Sequence, residues 1–468
     1  MNRLLISAAH KSSGKTTLSI GLCAALRQRG LVVQPFKKGP DFIDPMWLSL
    51  ATGRDCHNLD FFLMGREEIL RTFSARSQGA DISLIEGNKG LYDGLSLDGS
   101  NSNAALATLL QTPVVLVIDA RGMTRGIAPL ILGYQAFNKD IHIAGVILNQ
   151  LGGSRHEAKL RAVIEHYTDI PVLGAVHHDE NLSIVERHLG LMPSNEAAEA
   201  RTKIDTIASL VAGSVDLDRL LAIAADTAVF NMPAKLSTTT APTSDVRIGI
   251  ARDAAFAFYY PGDLEALRAA GAELVPINTL QDKKLPEVDA LIIGGGFPEV
   301  FMEQLEANAS LRHQIRLAIE TGLPAYAECG GLMYLSRSLS WKGKRCEMAG
   351  VIPGDVVMHD RPMGRGYVVL RETGRGLWPA TGAGQTPAEI RAHEFHYSTL
   401  ENLAPDTAYA YEVLRGTGID GKHDGIVHNN LFACYAHLRD LENNHWAARF
   451  VDFVRQHRQA GVKQKHTH

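Results

Sequence analysis

The sequence predicts an α/β protein of two domains, and three observations carry that prediction. Short apolar runs rich in β-branched residues alternate with helical stretches through the first half of the chain. The alternation breaks at Met232 to Asp245, a stretch rich in Pro, Ser, Thr and Ala, and then resumes. The length of 468 residues exceeds what one ordinary core holds. The expected organisation is a first domain over 1–231, a linker over 232–245, a second domain over 246–460 and a disordered polar tail over 461–468.

Taken in order, Leu4 to Ala8 reads as the first strand and Thr16 to Arg29 as a helix stopped by Gly30. Val32 to Phe36, Ile82 to Ile85, Val114 to Ile118 and Ala144 to Leu148 are further β-branched runs. Continuous apolar strands separated by helices imply a parallel sheet covered on both faces. Beyond the linker the same alternation gives strands at Arg247 to Ala251, Glu273 to Ile277, Ala290 to Ile293 and Leu323 to Ala327.

Composition excludes several classes. A formal net charge of −4 and the absence of a long basic block give no nucleic-acid footprint. No apolar run approaches the roughly 20 residues that span a bilayer, so no membrane role is expected. Leu4-Leu5-Ile6 is too short for a signal-peptide core. The five cysteines are odd in number and form no Cys-x-x-Cys pair, which speaks against a disulfide framework or zinc site and fits a reducing cytoplasm.

The first strand runs into Ala9-His-Lys-Ser-Ser-Gly-Lys-Thr-Thr17. The phosphate-binding loop pattern is Gly-x4-Gly-Lys-Ser/Thr; Ala9 replaces its first glycine, and Gly14, Lys15 and Thr16 are intact. Backbone N–H groups at the helix start would cradle phosphates, with Gly14, Lys15, Thr16 and Thr17 as ATP contacts. Lys15 would reach the β- and γ-phosphates, and Thr16 would ligate Mg²⁺. That ion also needs carboxylates. Glu86 ends the strand Ile82 to Ile85, Asp41 and Asp44 follow the second strand, and Asp93 lies in Gly90-Leu-Tyr-Asp-Gly94. Any one of these acids alone would read as a solvated loop charge. Together at the ends of parallel strands they point to a ligand site, with Thr16, Asp41 and Glu86 as the expected metal ligands and Asp44 and Asp93 beside the nucleotide. Asn149, ending the strand Gly145 to Asn149, reads equally as an adenine contact or a turn former.

The second half carries Leu323-Pro-Ala-Tyr-Ala-Glu-Cys-Gly-Gly-Leu-Met-Tyr334. An apolar run, a nucleophile and two glycines describe a strand turning sharply into a helix, the cysteine form of a nucleophile elbow. The helix start behind Cys329 favours negative charge on its sulfur. A cysteine nucleophile needs a base and an oxyanion hole. His437, in Cys434-Tyr-Ala-His-Leu438, is the first candidate base and His396 the second. The position two after His437, where an orienting glutamate would be expected, is Arg439. The catalytic group is therefore either a dyad or completed from elsewhere. Gly295 and Gly296, in the turn after Ala290 to Ile293, read as the oxyanion donors, or as a tight turn with no ligand. Cys23, Cys56, Cys346 and Cys434 lack such a context and read as structural.

These segments together resemble the cobyrinic acid a,c-diamide synthase family along nearly the whole chain. The specific pieces are Lys38-Gly-Pro-Asp-Phe-Ile-Asp-Pro45, Asn58-Leu-Asp60, Glu86-Gly, Gly90-Leu-Tyr-Asp-Gly94 and Glu186-Arg-His-Leu-Gly-Leu191. The second half adds Ala251-Arg-Asp-Ala-Ala-Phe256, Gly294-Gly-Gly-Phe-Pro-Glu299, Ala327-Glu-Cys-Gly-Gly-Leu-Met-Tyr334 and His393-Glu-Phe-His-Tyr-Ser398. The resemblance implies an N-terminal P-loop domain of the dethiobiotin-synthetase type and a C-terminal class I glutamine amidotransferase domain. It implies ATP-dependent amidation of two acetate side chains of a tetrapyrrole carboxylic acid, with L-glutamine as nitrogen donor, ATP and Mg²⁺ as cofactors, and a homodimer left open. Lys38, Asn88-Lys89, Pro261 and Arg361 to Tyr367 depart from the pattern expected of the family. These departures leave sirohydrochlorin or sirohaem of a dissimilatory sulfur pathway as an alternative acceptor to cobyrinic acid. A partitioning or switch ATPase of the same P-loop superfamily is the rival from another class. It has no use for a cysteine elbow.

Overall fold

The computed structural model describes residues 1–179, 184, 186–187, 190–194, 199–227, 244–378 and 389–465. It divides into two compact units, Met1–Ser237 and Thr238–His468. Most of the segment expected to be a linker lies outside the described residues.

The first unit holds a seven-stranded parallel sheet. Its strands are β1 (Arg3–Ala8), β2 (Val33–Lys38), β3 (His57–Leu59), β4 (Ile82–Glu86), β5 (Val114–Asp119), β6 (Ile143–Leu151) and β7 (Val172–His177), in the order β3-β2-β4-β1-β5-β6-β7. β1 is central, paired in parallel with β4 and β5. Leu4, Leu5 and Ile6 are fully buried, and each such side chain contributes about 1.5–3 kcal/mol by leaving water. The phosphate loop therefore springs from the best-buttressed strand of the sheet. Helix α1 (Lys15–Gln28) starts directly after Gly14. β4, one neighbour of β1, delivers Glu86, and β2 beyond it delivers Lys37.

The second unit is built on a nine-stranded mixed sheet. Five strands run parallel in the order Ala272–Ile277, Val246–Ala251, Ala290–Ile293, Ala325–Glu328 and Leu431–Cys434. Four antiparallel strands extend it: His423–His428, Ala408–Arg415, Gly364–Glu372 and Glu389–His396. The antiparallel half was not expected from the sequence, because its strands are partly exposed and lack continuous apolar runs. The last helix spans Trp446–Lys465. It thus enters the segment expected to be disordered, because a helix already nucleated on a packed face adds one backbone hydrogen bond per residue.

All five cysteines are free and buried. Among the described residues no helix is long and apolar enough to cross a membrane.

Candidate active sites

The phosphate loop is held open from behind. Gly14 caps α1 in a left-handed conformation, φ +83°. A Cβ there would stand 2.1 Å from Asn149 Nδ2. That amide donates to the Ser13 carbonyl at 2.9 Å, so Asn149, near the end of β6, braces the loop. Tyr134 adds a second brace, its hydroxyl donating to the Ala9 carbonyl. Gly14→Ala should weaken ATP binding about 10- to 100-fold, through left-handed strain and collision with Asn149. Calorimetric titration with ATP checks this; unchanged affinity would show that the loop tolerates the displacement.

The acids gather at one point around Lys37. Lys37 Nζ donates to Asp44 Oδ2 at 2.5 Å and to Glu86 Oε1 at 2.8 Å. Thr16 Oγ1, in the first turn of α1, lies 2.6 Å from Glu86 Oε1 and 3.2 Å from Asp44 Oδ2. Asp44, rather than Asp41, thus meets the hydroxyl expected to bind metal. The reason is local: Asp41 Oδ1 accepts from the amides of Ile43 and Asp44 at the start of the helix Ile43–Thr52, and its other oxygen is 4.0 Å from Lys37 Nζ. Asp93 accepts from the Gly90 amide at 2.9 Å, and its charge acts on Lys15. Thr17 follows Thr16 within α1.

The electrostatics follow from this burial. Burial pushes the Lys15 ammonium down to about 8, with Lys37 adding to the effect and Glu86, Asp44 and Asp93 opposing it. For Lys37 burial acts in the same direction, but Asp44, Glu86 and Asp41 outweigh it and hold the ammonium well above its ordinary range. Burial raises the Glu86 carboxyl, and Lys37 partly offsets this. Glu86 Oε2 is buried without a hydrogen-bond partner. A hydroxyl, two carboxylates and a spare carboxylate lone pair are hard oxygen donors that suit Mg²⁺, which keeps several waters and phosphate ligands of its own. Accordingly, among the described residues no group of three or more His, Cys, Asp or Glu side chains makes a self-sufficient metal cage.

Lys37 was not singled out from the sequence. An ionisable residue buried at the end of a strand, four residues before an Asp, was the available signal. Two of the residues that depart from the family pattern meet in space: Lys38 Nζ donates to Asn88 Oδ1 at 3.2 Å.

In the second unit three adjacent parallel strands bring the expected residues together. Ala325–Glu328 lies between Ala290–Ile293 and Leu431–Cys434. The first leads into Cys329, the second into Gly294 to Gly296, and the third towards His437. Cys329 has φ +46° and ψ −101° at the start of the helix Gly330–Leu335, the strained turn of an elbow. The turn needs close backbone approach: a Cβ on Gly331 would lie 1.9 Å from the Ile293 carbonyl oxygen. On Gly330 it would lie 3.0 Å from the Gly296 nitrogen, and on Gly295 2.6 Å from His437 Cε1. Tyr259 fixes this glycine turn, its hydroxyl accepting from Gly294 N at 2.8 Å and donating to the Ala251 carbonyl at 2.6 Å.

The Cys329 and His437 side chains interact and are 6% and 3% exposed. Burial alone would depress the His437 imidazolium. Its contacts with Cys329 and Glu328 outweigh burial and push it up to about 10. His396 faces elsewhere: its Nδ1 bonds the Ser398 carbonyl at 2.9 Å and its ring stacks on Tyr435 at 3.9 Å. Arg439 lies over the Tyr260 ring at 4.9 Å. The sequence reading missed Glu328, whose Oε2 lies 3.3 Å from His437 Nδ1.

The two units thus define a nucleotide-binding fold and a cysteine–histidine amidotransferase fold in one chain. Residues 5–191 match the family model of the CobQ/CobB/MinD/ParA nucleotide binding domain. Residues 247–445 match that of the CobB/CobQ-like glutamine amidotransferase domain. The cobyrinate a,c-diamide synthase of Magnetococcus marinus is 49% identical over 97% of this chain and 97% of its own. That of Methanosarcina acetivorans is 41% identical over 96% and 95%, and that of Archaeoglobus fulgidus 42% identical over 96% and 96%. The chain belongs to the cobyrinate a,c-diamide synthase family.

Proposed function

We propose that the chain uses ATP and glutamine to amidate the a and c acetate side chains of cobyrinate, with cobalamin biosynthesis as its setting. The carrying observation is the interacting Cys329–His437 pair at a strained strand–helix turn, in a chain that also holds a carboxylate-lined phosphate loop. Full-length relatives named cobyrinate a,c-diamide synthase support the acceptor.

In the second unit Cys329 Sγ attacks the carboxamide carbon of glutamine. His437 takes the thiol proton and returns it to the departing ammonia. The amides of Gly295 and Gly296 are the proposed donors to the oxyanion. Water, deprotonated by His437, then cleaves the thioester to glutamate.

In the first unit the loop amides and Lys15 hold the phosphates, and Lys15 meets the charge that develops on the transferred phosphoryl group. Thr16, Glu86 and Asp44 would hold Mg²⁺, which supplies further charge neutralisation there. The acceptor carboxylate is activated as an acyl phosphate, and ammonia displaces the phosphate.

Mass spectrometry of product tests the acceptor. Cobyrinate and sirohaem are offered in parallel with ATP, Mg²⁺ and glutamine. Exchange of two hydroxyls for amino groups on cobyrinate is expected. Exchange on sirohaem alone would overturn the acceptor and leave the chemistry standing.

A further inference from the structure

Glu328 precedes the nucleophile by one residue, and its carboxylate reaches Nδ1 of the histidine. Its Oε2 is 3.3 Å from His437 Nδ1, and its Oε1 accepts from the Leu438 amide at 2.8 Å. The Tyr326 hydroxyl donates to the same Oε1. Side chains two apart on a strand share a face, so the strand Ala325–Glu328 places the phenol beside the carboxylate it binds. Tyr326 is itself clamped, stacked on Phe432 at 5.6 Å and packed on Trp446 at 4.8 Å.

Among the described residues, the cationic partner of this carboxylate is His437. A cavity of about 10 Å³ behind it is walled by Tyr259, Tyr260, Asp263, Tyr326 and Trp446, and no Lys or Arg lines it. Arg439, at the position where an orienting acid was expected, is turned onto Tyr260. A buried carboxylate is costly unless it is paired and hydrogen-bonded. Glu328 has a backbone amide, a phenol and His437.

We propose that Glu328 is the positioning carboxylate of the glutaminase, holding His437 towards Cys329, and that Tyr326 holds Glu328. This rests on the reading of Cys329 as nucleophile and His437 as base. A carboxylate on Nδ1 keeps the proton there, leaves Nε2 for the thiol and stabilises the imidazolium formed when the thiol gives up its proton. The elbow makes the arrangement economical in sequence. The strand ends in Glu328, the chain turns sharply at Cys329, and adjacent residues both act on one imidazole.

Charged and titratable groups approach His437 from each neighbouring element. Cys329 comes from the helix start and Glu328 from the nucleophile strand. His393, on the strand Glu389–His396, stacks on the ring at 4.9 Å. Burial, His437 and Arg439 keep His393 well below the ordinary histidine range, so it adds no charge near neutrality. Asp263 lies behind Glu328. The alkaline limb of glutaminase activity, where His437 no longer carries the proton for departing ammonia, therefore reports the carboxylate.

Glu328→Gln is expected to lower kcat for glutamine hydrolysis about 10²- to 10⁴-fold with little change in KM. It should also move the alkaline limb of kcat/KM to lower pH and leave ammonium-driven amidation intact. Tyr326→Phe should lower kcat about tenfold. A wild-type kcat and an unmoved limb in Glu328→Gln, with His437→Ala inactive, would overturn the proposal. Full activity in His437→Ala would instead remove the reading on which it rests. Should Glu328→Gln also lose ammonium-driven activity through misfolding, Tyr326→Phe decides, and an unchanged kcat there would overturn the proposal.

Discussion

Cys329→Ser is expected to lower glutamine-dependent amidation about 10³-fold or more, while amidation driven by high ammonium stays near wild type. Cys329 sits at a strained strand–helix turn, buried and interacting with His437. Serine fits the same turn, but its hydroxyl is a far poorer nucleophile with the same base. Nothing in the first unit changes, so the ATP half should still accept ammonia from solution. The check is one preparation assayed with each nitrogen source. Undiminished glutamine activity would mean that Cys329 is not the nucleophile.

Lys15→Ala has the complementary expectation: loss of amidation from both nitrogen sources, by about 10²–10³-fold in kcat. Lys15 opens α1 at the mouth of the phosphate loop and is 7% exposed. Lys37 cannot replace it, because Lys37 is already bound by Asp44 and Glu86. The missing charge would raise the barrier wherever the ammonia came from. Retained ammonium-driven activity would assign Lys15 to binding or structure rather than to the transition state.

Legibility from sequence followed the physical range of each interaction. The parallel strands were readable because burial on both faces demands continuous apolar runs, as in Ile82–Glu86 and Val114–Asp119. The phosphate loop and the elbow were readable because glycine at fixed spacing is a backbone requirement, met at Gly14 and Gly331. The antiparallel half of the second sheet was not readable, because partly exposed strands such as Ala408–Arg415 carry weak patterns. Asn149 was placed on the right strand, which runs on to Leu151, but only the fold showed that its amide supports Ser13.

Local chemistry alone therefore determined the two reactive loops, their order in the chain and the strands that bear them. The loops need particular residues at neighbouring positions, and neighbours in sequence stay neighbours in space. Only the tertiary structure decided which side chains lie together. Asp44 stands beside Thr16, while Asp41 accepts from the helix start. Glu328 took the place behind His437 because parallel pairing sets Glu328 opposite Cys434, three residues before that histidine. A partner 109 residues away is fixed by strand register, and register is a property of the folded sheet rather than of either segment.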